Sequence, residues 1–251
     1  MVNRLQIAEK AAQKAMEVAL CFLNDARVLK SDFKDIKTLA DLRMNESILH
    51  ELESTKISIL SEEMDFPGNE IPDQCWIVDP LDGTYNFSRK YPCAGISIGF
   101  WENGNPVLGI VKDIFNNITY SSVSGEGARK NESKMEVSKT TDLKDAILAT
   151  GFPSGASYET NDLLQIVRNI QEFKKIRAIG AASIMLCHVA NGIFDVYYEK
   201  DIYIWDVAAG LSLVEEAGGQ FFLRRTPGTF KYEVLASNKA LFQKAKSLLI
   251  K

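Results

Sequence analysis

The feature that most constrains this chain is a short segment in which an apolar strand runs directly into two carboxylates and a glycine. Trp76–Val78 has the character of a buried strand, and Asp79-Pro80-Leu81-Asp82-Gly83-Thr84 follows it. Two carboxylates held this close repel each other unless a cation lies between them. If a helix begins at Gly83, its unpaired N–H groups form a cradle for phosphate. The segment therefore predicts a metal and a phosphate at one strand-to-helix turn.

A solvated turn after a strand is the simpler interpretation of an isolated Asp-Gly-Thr sequence. Here Asp79 directly follows residues of buried type, and Pro80 stiffens the exit from the strand. We therefore favour a functional site at this position.

Composition narrows the class of protein. The 251 residues are 46% hydrophobic and 25% charged, as expected for a globular protein with a substantial core. A net charge of -4 argues against a nucleic-acid partner held by electrostatics, but a bound metal would still allow an anionic substrate. The four cysteines form no C-x-x-C pair, so we expect free buried thiols and no zinc site. With no signal peptide or membrane-length apolar run, a reducing cytoplasm is the expected location.

Hydrophobic periodicity predicts a layered α+β or α/β architecture with mixed sheets. A first helix has an apolar face from Leu5 to Phe22, and a polar turn is expected at 30–35. Antiparallel strands are expected between 94 and 123, and helices alternate with strands after 140. The polar run 125–139 is the candidate hinge of a single domain, 1–251, whose two packed halves span about 1–139 and 140–251.

Two further acidic positions stand out. Glu62-Glu63 ends a predicted strand, and Asp206 lies at the predicted start of a helix. Alone, the first is an ordinary surface pair and the second an ordinary helix cap. Both supply the oxygen ligands that magnesium requires.

At this point the chain resembles a known family, the inositol monophosphatases, which belong to the magnesium-dependent, lithium-sensitive phosphatases. Two signatures carry the resemblance: W-I-V-D-P-L-D-G-T-Y-N-F from Trp76 to Phe87, and W-D-V-A-A-G from Trp205 to Gly210. Gly180-Ala181-Ala182 lies between them, and the spacings agree along nearly the whole chain. The resemblance implies an αβαβα sandwich with mixed and antiparallel sheets.

The resemblance also implies a role for individual residues. The first of two or three Mg²⁺ ions would bind Glu62, Asp79 and the Leu81 carbonyl, and the second Asp79, Asp82 and Asp206. Catalytic residues would be Thr84, Asp41 and Glu62, with Thr84 and Asp41 orienting a metal-activated water for direct attack on phosphorus. Positions that match phosphate or substrate contacts are Lys30, Gly83, Thr84, Ala182 and Glu199.

The sequence departs from the family pattern without removing a ligand. Ser61, Met64, Ala181 and Ser183 differ from the usual residues, and Lys37 stands where an apolar residue is usual. These departures bear on which ester is cleaved. Candidate substrates are inositol 1-phosphate, fructose 1,6-bisphosphate, 3'-phosphoadenosine 5'-phosphate, histidinol phosphate and other sugar phosphates. A homodimer and lithium inhibition are further implications of the resemblance.

Two other functions fit the sequence less well. Aspartyl-phosphate phosphatases also use an Asp-Gly-Thr turn, but their two aspartates are separated by one residue, whereas Asp79 and Asp82 are separated by two. A non-catalytic binding role in transcription or RNA processing would be favoured by loss of a ligand, and every expected carboxylate is present. His50 and His188 lie in helical patterns, where a packed or surface histidine is commoner than a catalytic base.

Overall fold

A computed structural model describes residues 2–23, 28–32, 35–152 and 159–250. These residues form seven α-helices and fourteen strands. The helices are α1 (Val2–Phe22), α2 (Leu39–Leu52), α3 (Thr84–Ser88), α4 (Thr160–Ile170), α5 (Ala182–Ala190), α6 (Ile204–Glu216) and α7 (Lys239–Leu249). The strands of the first half are β1 (Val28–Asp32), β2 (Asp35–Thr38), β3 (Ser58–Ser61), β4 (Gln74–Asp82), β5 (Gly95–Glu102), β6 (Asn105–Asp113), β7 (Ile118–Val123), β8 (Gly127–Lys130) and β9 (Ser133–Lys134). Those of the second half are β10 (Ile147–Thr150), β11 (Lys175–Arg177), β12 (Val196–Tyr203), β13 (Gly219–Arg225) and β14 (Lys231–Asn238).

The strands form two large mixed sheets and one hairpin. The seven-stranded sheet has the order β3-β4-β5-β6-β7-β8-β9, and only its β3–β4 pair is parallel. The five-stranded sheet has the order β11-β10-β12-β14-β13, with parallel pairs on both sides of β10. The strands β1 and β2 pair with each other in an antiparallel hairpin.

Three apolar clusters form the cores between neighbouring layers. Helices α1 and α2 cover one face of the seven-stranded sheet, where the alanine face of α1 meets Trp76 and Val78. Helices α5 and α6 fill the space between the two sheets. Helix α7 covers the outer face of the five-stranded sheet. This αβαβα order and the mixed sheets confirm the predicted fold class.

Several local predictions were wrong. The polar turn expected at 30–35 falls largely in β1 and β2, while Phe33 and Lys34 lie outside the described residues. The run 125–139, expected as a hinge, carries β8 and β9 and extends the seven-stranded sheet. Cys21 is exposed, although the other three cysteines are buried as expected and all four are free.

Other element boundaries also differ. The sequence pattern also predicts a helix near 158–173, which corresponds to the shorter α4; residue 158 lies outside the described residues. Strands β13 and β14 were not predicted, although their apolar runs flank Pro227-Gly228, a hairpin signal. None of the described helices is long and apolar enough to cross a membrane.

Candidate active site

A β-bulge in β4 brings Asp79 and Asp82 to the same side of the sheet. Residues three apart on a regular strand point to opposite faces. Against β5, however, Asp79 pairs with Ser97 and Asp82 with Gly95, so three steps on β4 oppose two on its partner. Pro80, which has no N–H to donate to a ladder, lies inside this irregularity. The extra residue therefore returns both carboxylates to the face covered by α5 and α6.

Gly83 makes the sharp turn that follows the bulge. Its φ of +83° is a left-handed conformation, and a Cβ there would approach the Cys93 carbonyl oxygen to 2.9 Å. Only glycine meets both conditions without strain. The five-residue helix α3 begins at Thr84, and the Phe87 N–H donates to the Gly83 carbonyl over 2.9 Å. The predicted change from strand to helix thus occurs at the predicted residue.

Asp82 is bound to the first turn of α5. Its Oδ1 accepts the Ala182 N–H at 3.2 Å, and its Oδ2 accepts the Ser183 N–H at 2.7 Å and the Ser183 hydroxyl at 2.5 Å. Burial raises the pKa of Asp82 to about 6, although these hydrogen bonds act to lower it. A carboxylate has about four acceptor positions, so Asp82 keeps capacity for a cation.

Asp41 connects the start of α2 with Thr84. Its Oδ2 accepts the N–H of Thr38, the N-cap residue, at 2.8 Å, and also the Thr38 hydroxyl. Its Oδ1 accepts the Thr84 hydroxyl at 2.9 Å. The same Thr84 oxygen lies 2.9 Å from the Leu81 carbonyl oxygen, but one hydroxyl proton serves one acceptor at a time. When it donates to Asp41, the Thr84 oxygen keeps its lone pairs for a water molecule.

Three carboxylates converge in a cluster that has the chemistry of a magnesium site. One oxygen each of Glu62, Asp79 and Asp206 lies within 4.8 Å of the other two. Oxygen ligands of an octahedral magnesium are about 3 to 4.2 Å apart, so carboxylates at this spacing suit one ion, or two ions bridged by a shared carboxylate. The Glu62 N–H donates to the Val78 carbonyl at 3.1 Å, which fixes the end of β3 beside Asp79. All of these donors are oxygens, which suits Mg²⁺ and not a soft metal.

The electrostatics of the cluster favour binding of a cation. Burial, followed by the charges of Glu62, Asp82 and Asp206, raises the pKa of Asp79 well above its ordinary value. Asp206 is shifted in the same direction, with burial first and the Glu62 charge second. Burial among protein atoms also raises the pKa of Glu62 to about 8. Because Glu62 is open to the pocket, water screens part of this effect.

Glu62 and Asp206 of the cluster line a pocket of about 460 Å³, within the usual range for small-molecule sites. The predicted residues that line it are Lys30, Asp41, Glu62, Asp82, Gly83, Thr84, Ala182, Glu199 and Asp206. Asp79 and Leu81 are each 1% exposed; Asp79 belongs to the carboxylate cluster, and the Leu81 carbonyl reaches Thr84. The structure thus brings every predicted site residue into one region.

Glu199 forms a buried wall of this pocket. It precedes a bulge in β12 and is 4% exposed. Burial, and then the Asp82 charge, raises the pKa of Glu199 to about 8. A Cβ on Gly151 would lie 2.6 Å from Glu199 Oε1, so the absence of a side chain at Gly151 leaves room for this carboxyl group.

Sequence reasoning missed two supporting residues. Ser183 was noted only as a departure from the family pattern, yet it holds Asp82. Asn86 was quoted in the signature without a role, and its side-chain amide lies within hydrogen-bond distance of the carbonyls of Cys93, Ile179 and Gly180. It therefore ties α3 to the loop before α5. Partners about a hundred positions apart leave no local sequence signal.

Comparisons with known proteins agree with this geometry. The family model described as the inositol monophosphatase family matches residues 2–249. A protein named Nus factor SuhB from Xylella fastidiosa is 35% identical over 86% of this chain and 80% of its own. A fructose-1,6-bisphosphatase/inositol-1-monophosphatase from Aquifex aeolicus is 31% identical over 91% of this chain and 92% of its own. The solved inositol monophosphatase from Anabaena superposes with a TM-score of 0.84 at 30% identity, covering 99% of this chain and 95% of that one.

Proposed function

Since the chain belongs to the inositol monophosphatase family and is a phosphoric monoester hydrolase, we propose that it cleaves a small phosphorylated alcohol or sugar by direct attack of water. The observation that supports this most is that the hydrogen-bonded pair Asp41 and Thr84 lies in the same pocket as the carboxylate cluster. One arrangement thereby offers a place for a cation, for a phosphate and for an oriented water.

The family uses Mg²⁺, and we propose two ions in this chain. Glu62, Asp79 and the Leu81 carbonyl would hold one, while Asp79, Asp82 and Asp206 would hold the other. When bound, magnesium supplies Lewis-acid stabilisation of phosphoryl oxygens and of the leaving group. The raised pKa values of the carboxylates support this assignment, because cations would restore the ionised forms.

The protein's own groups orient the reaction. Asp41 fixes the direction of the Thr84 hydroxyl, whose oxygen then accepts a hydrogen bond from the attacking water and aligns it with phosphorus. As the new P–O bond forms, that water proton passes to the Thr84 oxygen and the Thr84 proton passes to Asp41, while the leaving oxygen takes a proton from solvent as its P–O bond breaks. The Gly83 and Thr84 N–H groups, together with Lys30, would bind the phosphate. Ala182 and Glu199 would contact hydroxyls of the leaving alcohol, and the protonated form of Glu199 would donate to one of them.

The candidate physiological substrates are inositol 1-phosphate, fructose 1,6-bisphosphate, 3'-phosphoadenosine 5'-phosphate and histidinol phosphate. The Aquifex relative, by its name, acts on two of these. Similarity to a protein named as a Nus factor favours a second candidate, a binding role in transcription that would exist beside catalysis. We also propose a homodimer, which sedimentation tests, and inhibition by lithium, which a lithium titration of hydrolysis tests. A cytoplasmic location is the last part of the proposal, and cell fractionation tests it.

The decisive experiment is a kinetic panel of these esters, measured with Mg²⁺ and with EDTA. We expect hydrolysis of at least one ester with Mg²⁺, none in EDTA, and recovery when Mg²⁺ is restored. The nearly isosteric Asp206→Asn variant, checked for folding by circular dichroism, should be strongly impaired. Hydrolysis that persists in chelator would contradict the metal assignment. A folded wild-type protein inactive on the whole panel, yet binding transcription factors, would favour the binding role.

A further inference from the structure

A lysine pair on the β1–β2 hairpin forms one side of the pocket. Lys30 and Lys37 are directly opposite each other in the antiparallel register, so their side chains leave the hairpin on the same face. Both line the pocket. Like charges directly opposite each other in a β-pair are destabilising, so an arrangement of this kind favours an anion between or beside them.

The position of Lys37 is fixed relative to the reaction centre. The next residue, Thr38, is bound by Asp41, and Asp41 is bound by the Thr84 hydroxyl. On its other side, Lys37 forms an ion pair with Glu63, which directly follows Glu62 of the carboxylate cluster. The Lys37 ammonium therefore lies at the edge of the pocket. Its backbone is held next to Asp41 through Thr38, and its side chain is held next to Glu62 through Glu63.

The Lys37–Glu63 ion pair leaves the ammonium able to bind something else. The Lys37 side chain is 37% exposed, whereas that of Glu63 is 5% exposed. An ammonium has three donors, and a carboxylate on one side does not occupy all of them. Lys37 can therefore keep its pair with the buried Glu63 carboxylate while its exposed side, which lines the pocket, binds a ligand.

We propose that Lys37 determines specificity by binding a second anionic group on the substrate, a phosphate or a carboxylate carried by the leaving alcohol. This inference rests on the proposed phosphatase function and narrows its substrate class. The scissile phosphate would lie at Gly83, Thr84 and Lys30, and the second anion would lie farther along the hairpin, at Lys37.

The test compares Lys37→Met with wild type on two matched substrate pairs. One pair is fructose 1,6-bisphosphate and fructose 1-phosphate, which differ by a phosphate. The other is 2-phosphoglycerate and glycerol 2-phosphate, which differ by a carboxylate. For at least one pair we expect wild type to favour the substrate that carries the second anionic group. Lys37→Met should reduce the ratio of this substrate's kcat/KM to that of the matched substrate without the group about 10-fold, as for loss of one charge-assisted hydrogen bond. The pair that responds identifies the second anion.

Two further variants separate recognition from structure. Lys37→Arg keeps the charge and should keep most of the ratio. Lys14→Met also removes a lysine that is paired with a glutamate, but on the surface of α1, and should leave both ratios unchanged. Ratios that Lys37→Met leaves unchanged in an active enzyme would overturn this inference alone, even if its melting temperature fell. A wild type inactive on all four esters and on the wider panel would overturn the proposed function as well.

Discussion

Removal of the Thr84 hydroxyl tests the proposed mechanism most directly. Thr84→Ala deletes the group that Asp41 orients, while the backbone N–H groups of Gly83 and Thr84 and the metal ligands stay in place. Loss of positioned proton transfer typically lowers kcat about 10²–10⁴-fold, or about 3–5 kcal/mol in the barrier. KM should change far less, because phosphate binding is retained.

Asp41→Asn should produce a similar loss of kcat, and the two losses should not add, because the two groups act as one unit. Asp41 also binds the N-terminus of α2, so this variant should lose stability as well, by about 1 kcal/mol. The matched control is Thr38→Val, which removes the other hydroxyl bound by Asp41 but leaves Thr84 untouched. It should lower the melting temperature and leave kcat close to that of wild type.

The assay is single-turnover and steady-state hydrolysis in Mg²⁺, with denaturant unfolding of each variant. Solvent ¹⁸O should enter the released phosphate in one turnover. A Thr84→Ala enzyme with nearly normal kcat, or a phosphoenzyme trapped on Asp79 or Asp82, would refute the reasoning. An equal loss of kcat in Thr38→Val would show that α2 capping, rather than water orientation, explains the Asp41 effect.

The remaining predictions concern stability. In chelator, the free energy of unfolding should fall as pH rises from about 5 to about 8. The folded-state pKa values of Glu62 (about 8) and Asp82 (about 6) lie above the ordinary values of 4.5 and 3.8. The folded protein therefore binds more protons than the unfolded protein in this window, and it loses that stabilisation as pH rises. Saturating Mg²⁺ should flatten this dependence; melting curves that rise with pH in EDTA would contradict the charge assignment. Gly83→Ala should cost more stability than Gly228→Ala, because both positions have positive φ, worth about 1–3 kcal/mol of strain, but only Gly83 has a backbone oxygen in contact with the new Cβ. Equal losses of unfolding free energy in the two variants would show that this contact is relieved at no cost.

Local patterns in the sequence were sufficient for much of the fold. The apolar face of α1 and the change from strand to helix at Gly83 were predicted from local residue patterns, and the structure confirms them. These features depend on neighbours within a few residues. The resemblance to a family then named the site residues, all of which meet in one region, while their roles stay predictions.

Features that depend on distant partners were not predictable in the same way. The bulge in β4 exists only in register with β5, so the sequence alone places Asp79 and Asp82 on opposite faces. Ser183 binds Asp82 from a different layer. The hairpin β1–β2 is polar because it faces the pocket, and its lack of alternating apolar residues made it look like a turn.

The attachment of Asp82 to α5 has a practical consequence for anyone handling the protein. The proposed ligands come from β3, β4 and α6, and Asp82 is held by a helix from between the two sheets. A molecule in which α5 and α6 have separated from the seven-stranded sheet has no complete set of these proposed ligands. Turnover per milligram of an aged or heated sample therefore counts the intact molecules in it, without a background of partly working ones.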